Sequence, residues 1–417
     1  MFGVTMLFRN ILYTFGVILI NNIVLSQSQG VISAITNIIN KPVSKLLPLQ
    51  SQLSEDGKLN FTQLSKKYGF HCEKHEVITA DGYILTLFHI LGKGRPHLLA
   101  HGILDASDTF IIRGNISLVI TLAKAGYDVW AGNFRGTRYS IGHTKLNPND
   151  KDFWNFTLHE LGYYDYPAFI DYVLKQTGQE KLTIIGHSQG TTSFFILGAL
   201  RPKYNNKINV FIALAPVAYI NHLKNYFNLI AEFEPIIKGA LDVLGIVEIL
   251  RDGSILRNLI EILCTQDIGS YELCVKGVIF SIAGSDPEQL EPKFINVLFG
   301  HYPLSISLKT VYHFAQISNR DKFAEYDYGE NQNMVLYGSK TPPDYDLKNV
   351  IAKIALLVGP NDYIATVGNV ALLREQLPNV IEYRELSSNF NHADFVWGNR
   401  MPELLFPYIF DLLEKYP

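Results

Sequence analysis

The sequence carries no surplus of one charge. Its 417 residues hold 36 Lys and Arg against 39 Asp and Glu, a formal net charge of -3. No basic run or stripe is present, and this excludes nucleic acid as a partner, since phosphate binding needs clustered Lys and Arg. There is no His-Glu-x-x-His, no Cys-x-x-Cys, no Walker loop and no strand-linked Gly-x-Gly-x-x-Gly, so neither a metal nor a cofactor is implied. Repeats and low-complexity tracts are missing. Charged residues make up only 18% against 47% hydrophobic, a balance that fits a folded chain with a large core and not a disordered one. Beyond the N-terminus, no segment is apolar and long enough to cross a bilayer.

The N-terminus itself reads as a signal peptide. Arg9 precedes an apolar stretch from Ile11 to Ile20, followed by Asn21-Asn22 and Ile23-Val24-Leu25-Ser26. Basic start, apolar middle and small residues at a cut site follow in the expected order. We place the cut after Ser26, with Ser28 as second choice. The alternative is an uncleaved anchor, but the apolar stretch is short of the about 20 residues a spanning helix needs. On the secretory route, Asn60, Asn115 and Asn155 become candidate glycosylation sites, each an Asn-x-Ser/Thr sequon. Of three cysteines, Cys264 and Cys274 are close enough for a local disulfide in an oxidising compartment. Cys72 is left over, and we read it as a buried small hydrophobe.

Residues 27–62 form an N-terminal extension. From Glu76 to Ile90 two β-rich runs flank Asp81-Gly82, a hairpin signal. Short apolar runs then alternate with helix-length segments: 97–100, 127–132, 182–185, 210–214, 354–358 and 380–383. That rhythm predicts βαβ units and a mostly parallel sheet. It breaks between 219 and 345, a helix-rich stretch with an apolar section from Ile236 to Leu263. We expect a core of 63–218 and 346–417, with 219–345 inserted between two strands as a helical cap or lid.

Gly186-His187-Ser188-Gln189-Gly190 matches Gly-x-Ser-x-Gly, after a strand candidate and before a helix start. This is the strand–turn–helix setting of a nucleophile elbow. Side chains flanking Ser188 would collide in so sharp a turn, so glycine is expected at 186 and 190. The hydroxyl sits at the positive end of the following helix. A serine hydroxyl is a weak nucleophile until a base takes its proton. In this fold the acid and then the base follow the serine in the chain. Among 12 histidines, His392 lies in a loop after the last strand candidate. His187 sits inside the elbow and is expected to point elsewhere, and His301 and His313 fall in the insertion. Asp362, at the end of the 354–358 strand, is placed to orient His392. Asp394 is too near His392 in sequence to face its ring easily, and Asp346 precedes the strand. The backbone N–H groups of Gln189 and of Ile103, in His101-Gly102-Ile103, are the candidate oxyanion donors.

These segments together resemble the acid lipase family, which includes gastric and lysosomal acid lipases and many insect secreted lipases. The resemblance runs from about Gln63 to the C-terminus. It is carried by Asp81-Gly82-Tyr83-Ile84-Leu85, His101-Gly102-Ile103, Gly126-Tyr127-Asp128-Val129-Trp130 with Asn133 and Arg135-Gly136, and Phe153-Trp154-Asn155-Phe156 with His159-Glu160 and Asp165. The elbow, Asn361-Asp362 and Asn391-His392-Ala393-Asp394-Phe395 complete it. It implies an α/β-hydrolase fold and an acid-tolerant enzyme that hydrolyses triacylglycerols or sterol esters at a lipid–water interface. It also implies a cap with a mobile lid, and a cap disulfide that fits Cys264 and Cys274. Ile103 stands where Leu is commoner, which is neutral for a backbone donor. The destination implied is extracellular, with the lysosome as alternative. A lipid-binding protein without catalysis, or an esterase for small soluble esters, are the competing readings. Oligomeric state is not legible.

Overall fold

The computed structural model describes residues 50–221, 241, 245–266 and 268–416. The signal peptide, residues 27–49 of the extension, and the start of the apolar section at Ile236 lie outside the described residues. Among the described residues, nine strands form the main sheet: β1 (Glu73–Ile78), β2 (Tyr83–Ile90), β3 (Lys93–Ala100), β4 (Tyr127–Gly132), β5 (Gly142–His143), β6 (Leu182–His187), β7 (Ile208–Leu214), β8 (Ile354–Val358) and β9 (Val380–Glu385). Their order is β1-β2-β4-β3-β6-β7-β8-β9, with β5 on β2. From β4 to β9 every neighbour is parallel, while β2 runs antiparallel to β1, β4 and β5. The expected fold class, a mostly parallel sheet with helices around it, is what the chain forms.

Local chemistry explains the elements. In the hairpin between β1 and β2, Gly82 N–H donates to Thr79 C=O and Gly82 has φ 101°. That is a turn closed by a residue in a conformation only glycine adopts cheaply. The buried strands are apolar runs: all five residues of β8 and all six of β6 are buried. β3 starts four residues before the expected His97, because a register shift between Lys93 and Pro96 accommodates a proline that cannot donate to the ladder. The helix after β6, α1 (Gln189–Leu200), is buried from Gln189 to Ala199. It has no solvent face, and its buried Thr191 and Thr192 hydroxyls are satisfied by donating to the Ser188 and Val217 carbonyls.

β7 and β8 are sheet neighbours, yet 139 residues separate Leu214 from Ile354. Within that interval the described elements are mainly helical, including Ile255–Cys264, Ile295–His301, Leu308–Arg320 and Glu330–Tyr337. Within it, 248–249 pair with 306–307 as a small two-stranded antiparallel sheet. Cys264 and Cys274 are joined by a disulfide, with Cα atoms 5.7 Å apart. Cys72 is free and half-buried at the core's edge, not fully buried as expected. The reason is its position one residue before the edge strand β1. Among the described residues, no helix is long and apolar enough to cross a membrane.

Candidate active site

β6 ends at His187, and Ser188 makes the turn into α1 with φ 51° and ψ -117°. For a non-glycine residue this is a strained backbone, and the surrounding sheet and helix must enforce it. The flanking glycines are needed for a different reason than crowding around the serine. A Cβ on Gly190 would lie 2.4 Å from the Ala100 carbonyl oxygen of β3, and one on Gly186 would press on the Phe211 ring at 3.0 Å. The elbow is wedged between its own helix and the neighbouring strands.

Two loops at the same end of the sheet, beyond the C-terminal ends of its parallel strands, meet Ser188. Asp362 follows β8, and His392 follows β9. Ser188 Oγ and His392 Nε2 are 2.8 Å apart, and His392 Nδ1 and Asp362 Oδ2 are 2.8 Å apart. The other carboxylate oxygen, Oδ1, accepts from the backbone N–H groups of Ile364 and Ala365, both at 2.8 Å. All three residues are buried, at 4%, 3% and 7% exposure for Ser188, Asp362 and His392. Burial strengthens each of these interactions by lowering the local dielectric.

The other candidate histidines, and His101, are accounted for by their hydrogen bonds. His187 turns away from Ser188, and its Nε2 pairs with the His392 carbonyl at 3.0 Å. Burial, helped by the nearby His392, pushes His187 down to about 3, so it is neutral and donates from Nε2. His101 is neutral for the same reason, its pKa pushed down by burial to about 4. Its Nδ1 pairs with Gly102 C=O at 2.8 Å and its Nε2 accepts from Phe134 N–H. This ring pins the loop that carries Ile103. A Cβ on Gly102 would sit 3.1 Å from His187 Nδ1 and 3.4 Å from Ser188 Cβ, so the loop passes close beside the elbow with little room for a side chain there. Gln189 opens α1, where first-turn N–H groups have no partner inside the helix. His301 instead pairs with Asp108 at 2.8 Å, and His313 with the Ala324 carbonyl. Asp394 Oδ2 accepts from Asn391 N–H at 2.8 Å and so holds the histidine loop. Asp346 caps the short helix at 347–349.

Several positioning residues escape sequence reasoning because they come from the inserted segment. His392 N–H donates to Ala283 C=O at 3.0 Å, and Asn391 Nδ2 to Gly284 C=O at 3.0 Å. Asn361 Nδ2 donates to Ser285 C=O at 2.8 Å. Residues 283–285 therefore clasp both the acid loop and the histidine loop. Gly284 has φ 101°, and a Cβ there would fall 1.9 Å from the Asn361 carbonyl oxygen. Backbone cannot yield as a side chain can. Gly284→Ala should shift both loops and lower kcat/KM about a hundredfold, the scale of a 1 Å misplacement of reacting groups. Steady-state kinetics on a soluble ester, beside a circular dichroism spectrum, checks this. The only sequence signal is the glycine itself, which lies in no recognisable motif.

Arg135 and Asp165 serve the frame and not the chemistry. Arg135 is buried and binds Asp81 through both terminal nitrogens at 2.6 and 2.9 Å, and Asp165 through Nε at 2.8 Å. This joins the hairpin turn, the loop after β4 and the helix before β6.

A mostly parallel sheet with a serine on the turn after a central strand, wrapped by helices, defines an α/β-hydrolase fold. The family model for the alpha/beta hydrolase fold matches residues 97–238, and that for a partial alpha/beta-hydrolase lipase region matches 61–114. A solved structure from Sulfolobus solfataricus shares the fold, with TM-score 0.55 at 14% identity over 80% of this chain and 90% of that one. Within the superfamily, the chain belongs to the acid lipase family. It is 38% identical to Lipase 1 of Drosophila melanogaster, over 88% of this chain and 82% of that protein. It is 36% identical to Lipase 3 of the same organism, over 84% and 91%. Gastric triacylglycerol lipase of Mus musculus matches at 33% identity over 86% and 93%.

Proposed function

We propose that the chain is a secreted lipase that hydrolyses the carboxylic esters of neutral lipids, triacylglycerols first, through Ser188, His392 and Asp362. The observation that carries the reading is the unbroken hydrogen-bonded line from Asp362 through His392 to the Ser188 hydroxyl. In this reading His392 takes the serine proton as Oγ attacks the ester carbonyl. Asp362 holds the imidazole in the tautomer with Nδ1–H and stabilises the imidazolium. The Gln189 and Ile103 N–H groups receive the developing oxyanion. His392 then protonates the leaving alcohol, and water repeats the sequence on the acyl-enzyme.

The names of the relatives and the exposed apolar side chains of the inserted segment support a lipid substrate. Ile255 is 77% exposed and Leu256 41%, an arrangement that suits a lipid surface better than water. We read 219–345 as the cap and its apolar helices as the lid. The secretory route is supported by the Cys264–Cys274 disulfide and by the exposure of Asn60, Asn115 and Asn155. The test compares hydrolysis of a long-chain triacylglycerol above and below its solubility limit. A rate that rises once emulsion forms is expected. A rate that saturates below the limit on short soluble esters would make it an esterase, and inertness toward both would make it a lipid-binding protein.

A further inference from the structure

At the β1 edge of the sheet, four strands from the β6 that leads into Ser188, lies a group of side chains that the proposed hydrolysis does not use. Glu73 and His75 are two apart on β1 and so face the same side. Across the hairpin Glu73 pairs with His89 of β2, and His89 in turn pairs with Trp130 of β4. The register therefore collects a carboxylate and two imidazoles on one patch. Because the three ligands come from two strands, no linear spacing motif announces them.

We propose that Glu73, His75 and His89 form a binding site for a divalent transition metal, with Zn²⁺ the best-matched ion. One oxygen of Glu73, one nitrogen of His75 and one of His89 all lie within 4.8 Å of one another. Glu73 Oε2 is 3.1 Å from His75 Nε2 and 3.7 Å from His89 Nδ1. Ligands at ordinary zinc distances on a tetrahedron are about 3.3 Å apart, and the two separations bracket that value.

The outer partners argue further. A metal-bound imidazole needs its second nitrogen to donate a hydrogen bond that fixes the ring and its tautomer. His89 Nε2 faces Asp128 Oδ1 at 2.7 Å, which keeps the proton on Nε2 and leaves Nδ1 as a bare lone pair. That Nδ1 is buried, has no hydrogen-bond partner and points at Glu73, in a residue only 6% exposed. A buried acceptor without a donor is costly, and a cation is the occupant that removes the cost. The other ring also has an outer partner: His75 Nδ1 is 3.0 Å from the Tyr172 hydroxyl, and its Nε2 is hydrogen-bonded to Glu73 at 3.1 Å, the contact an ion would replace. His89 is also stacked on Trp130 at 3.8 Å, with the planes 10° apart, so its orientation is locked. Asp128 is held in turn by N–H donors from Gly92 and Trp130.

The group opens on a cavity of about 330 Å³ walled by Leu91, Gly92, Gln176 and Thr177. Two imidazoles and one carboxylate leave a tetrahedral ion one position, which the cavity leaves open to water. β1 is the end strand of the sheet. An ion bridging it to β2 would clamp that edge, so the site is structural in effect and independent of ester hydrolysis.

Titration of the metal-stripped full chain with Zn²⁺ by calorimetry tests this. One ion per chain should bind and raise the melting temperature. Glu73→Gln, a half-exposed position where folding is safe, should weaken binding at least tenfold, as should His89→Ala, and Asp128→Asn should weaken it by about 10–100-fold. Co²⁺ in place of Zn²⁺ should give the visible absorption of a tetrahedral site, lost in Glu73→Gln. Ester hydrolysis should be the same with and without the ion. Absence of saturable binding, or binding unchanged in Glu73→Gln, overturns the proposal whatever the hydrolase assay shows.

Discussion

Ser188→Ala lowers ester turnover about a millionfold, the loss seen when a triad nucleophile is removed, while the chain stays folded. The Oγ of Ser188 meets His392 Nε2, so the substitution removes the one atom that can form the acyl-enzyme. What survives, roughly 10³-fold over water, comes from substrate binding and the oxyanion donors. Folding is spared because Ala fills the Cβ position already present and the elbow is set by its neighbours: Ser188 N–H donates to Leu214 C=O, and its own carbonyl accepts from Thr191 and Thr192. Nucleophile and base act as one unit, so Ser188→Ala with His392→Ala should be no slower than either alone. Active-site titration and far-ultraviolet circular dichroism separate lost chemistry from lost structure. Turnover within tenfold of the parent would rule out Ser188.

Asp362→Asn should cost about 10⁴ in kcat with little change in KM, the scale expected when the base is left in the wrong tautomer. The geometry says why the amide cannot adapt. Oδ1 of Asp362 accepts two backbone N–H groups, from Ile364 and Ala365. In asparagine only the carbonyl oxygen can fill that place, and the NH₂ is then directed at His392 Nδ1. That nitrogen becomes an acceptor, and the ring proton moves to Nε2, facing Ser188. A ring protonated on Nε2 cannot accept the serine proton. Rotating the amide the other way would bring its NH₂ against two N–H donors. Asp362→Glu, longer by a methylene, should also fail, but it keeps the charge; a pH–rate profile distinguishes the two, since only the asparagine variant lacks the carboxylate that stabilises the imidazolium.

Much of the frame could be read from the chain because it is local. β4 and β8 run over 127–132 and 354–358, the residues expected, since each is an apolar run bounded by turn residues. The hairpin and the elbow are likewise written in consecutive residues. What escaped reading is what depends on contact between distant segments. Gly190 looks like a residue serving the serine beside it, yet the atom that forbids a side chain there belongs to Ala100, ninety positions away. Nothing near Gly284 in sequence says that it meets Asn361 and Asn391. The asparagines of Asn361-Asp362 and Asn391-His392 were visible as motifs, but their work, tying both loops to residues 284–285, needed the fold. The Glu73, His75 and His89 patch was hidden for the same reason: a hairpin register, not a spacing, assembles it.

The most direct measurement is labelling with a serine-reactive fluorophosphonate followed by peptide mass mapping, on the parent and on His392→Ala. A single adduct on Ser188, formed rapidly in the parent and at least a thousandfold more slowly without the imidazole, is the expected result. An adduct on another serine, or equal rates in the two proteins, would contradict the claim that His392 activates Ser188.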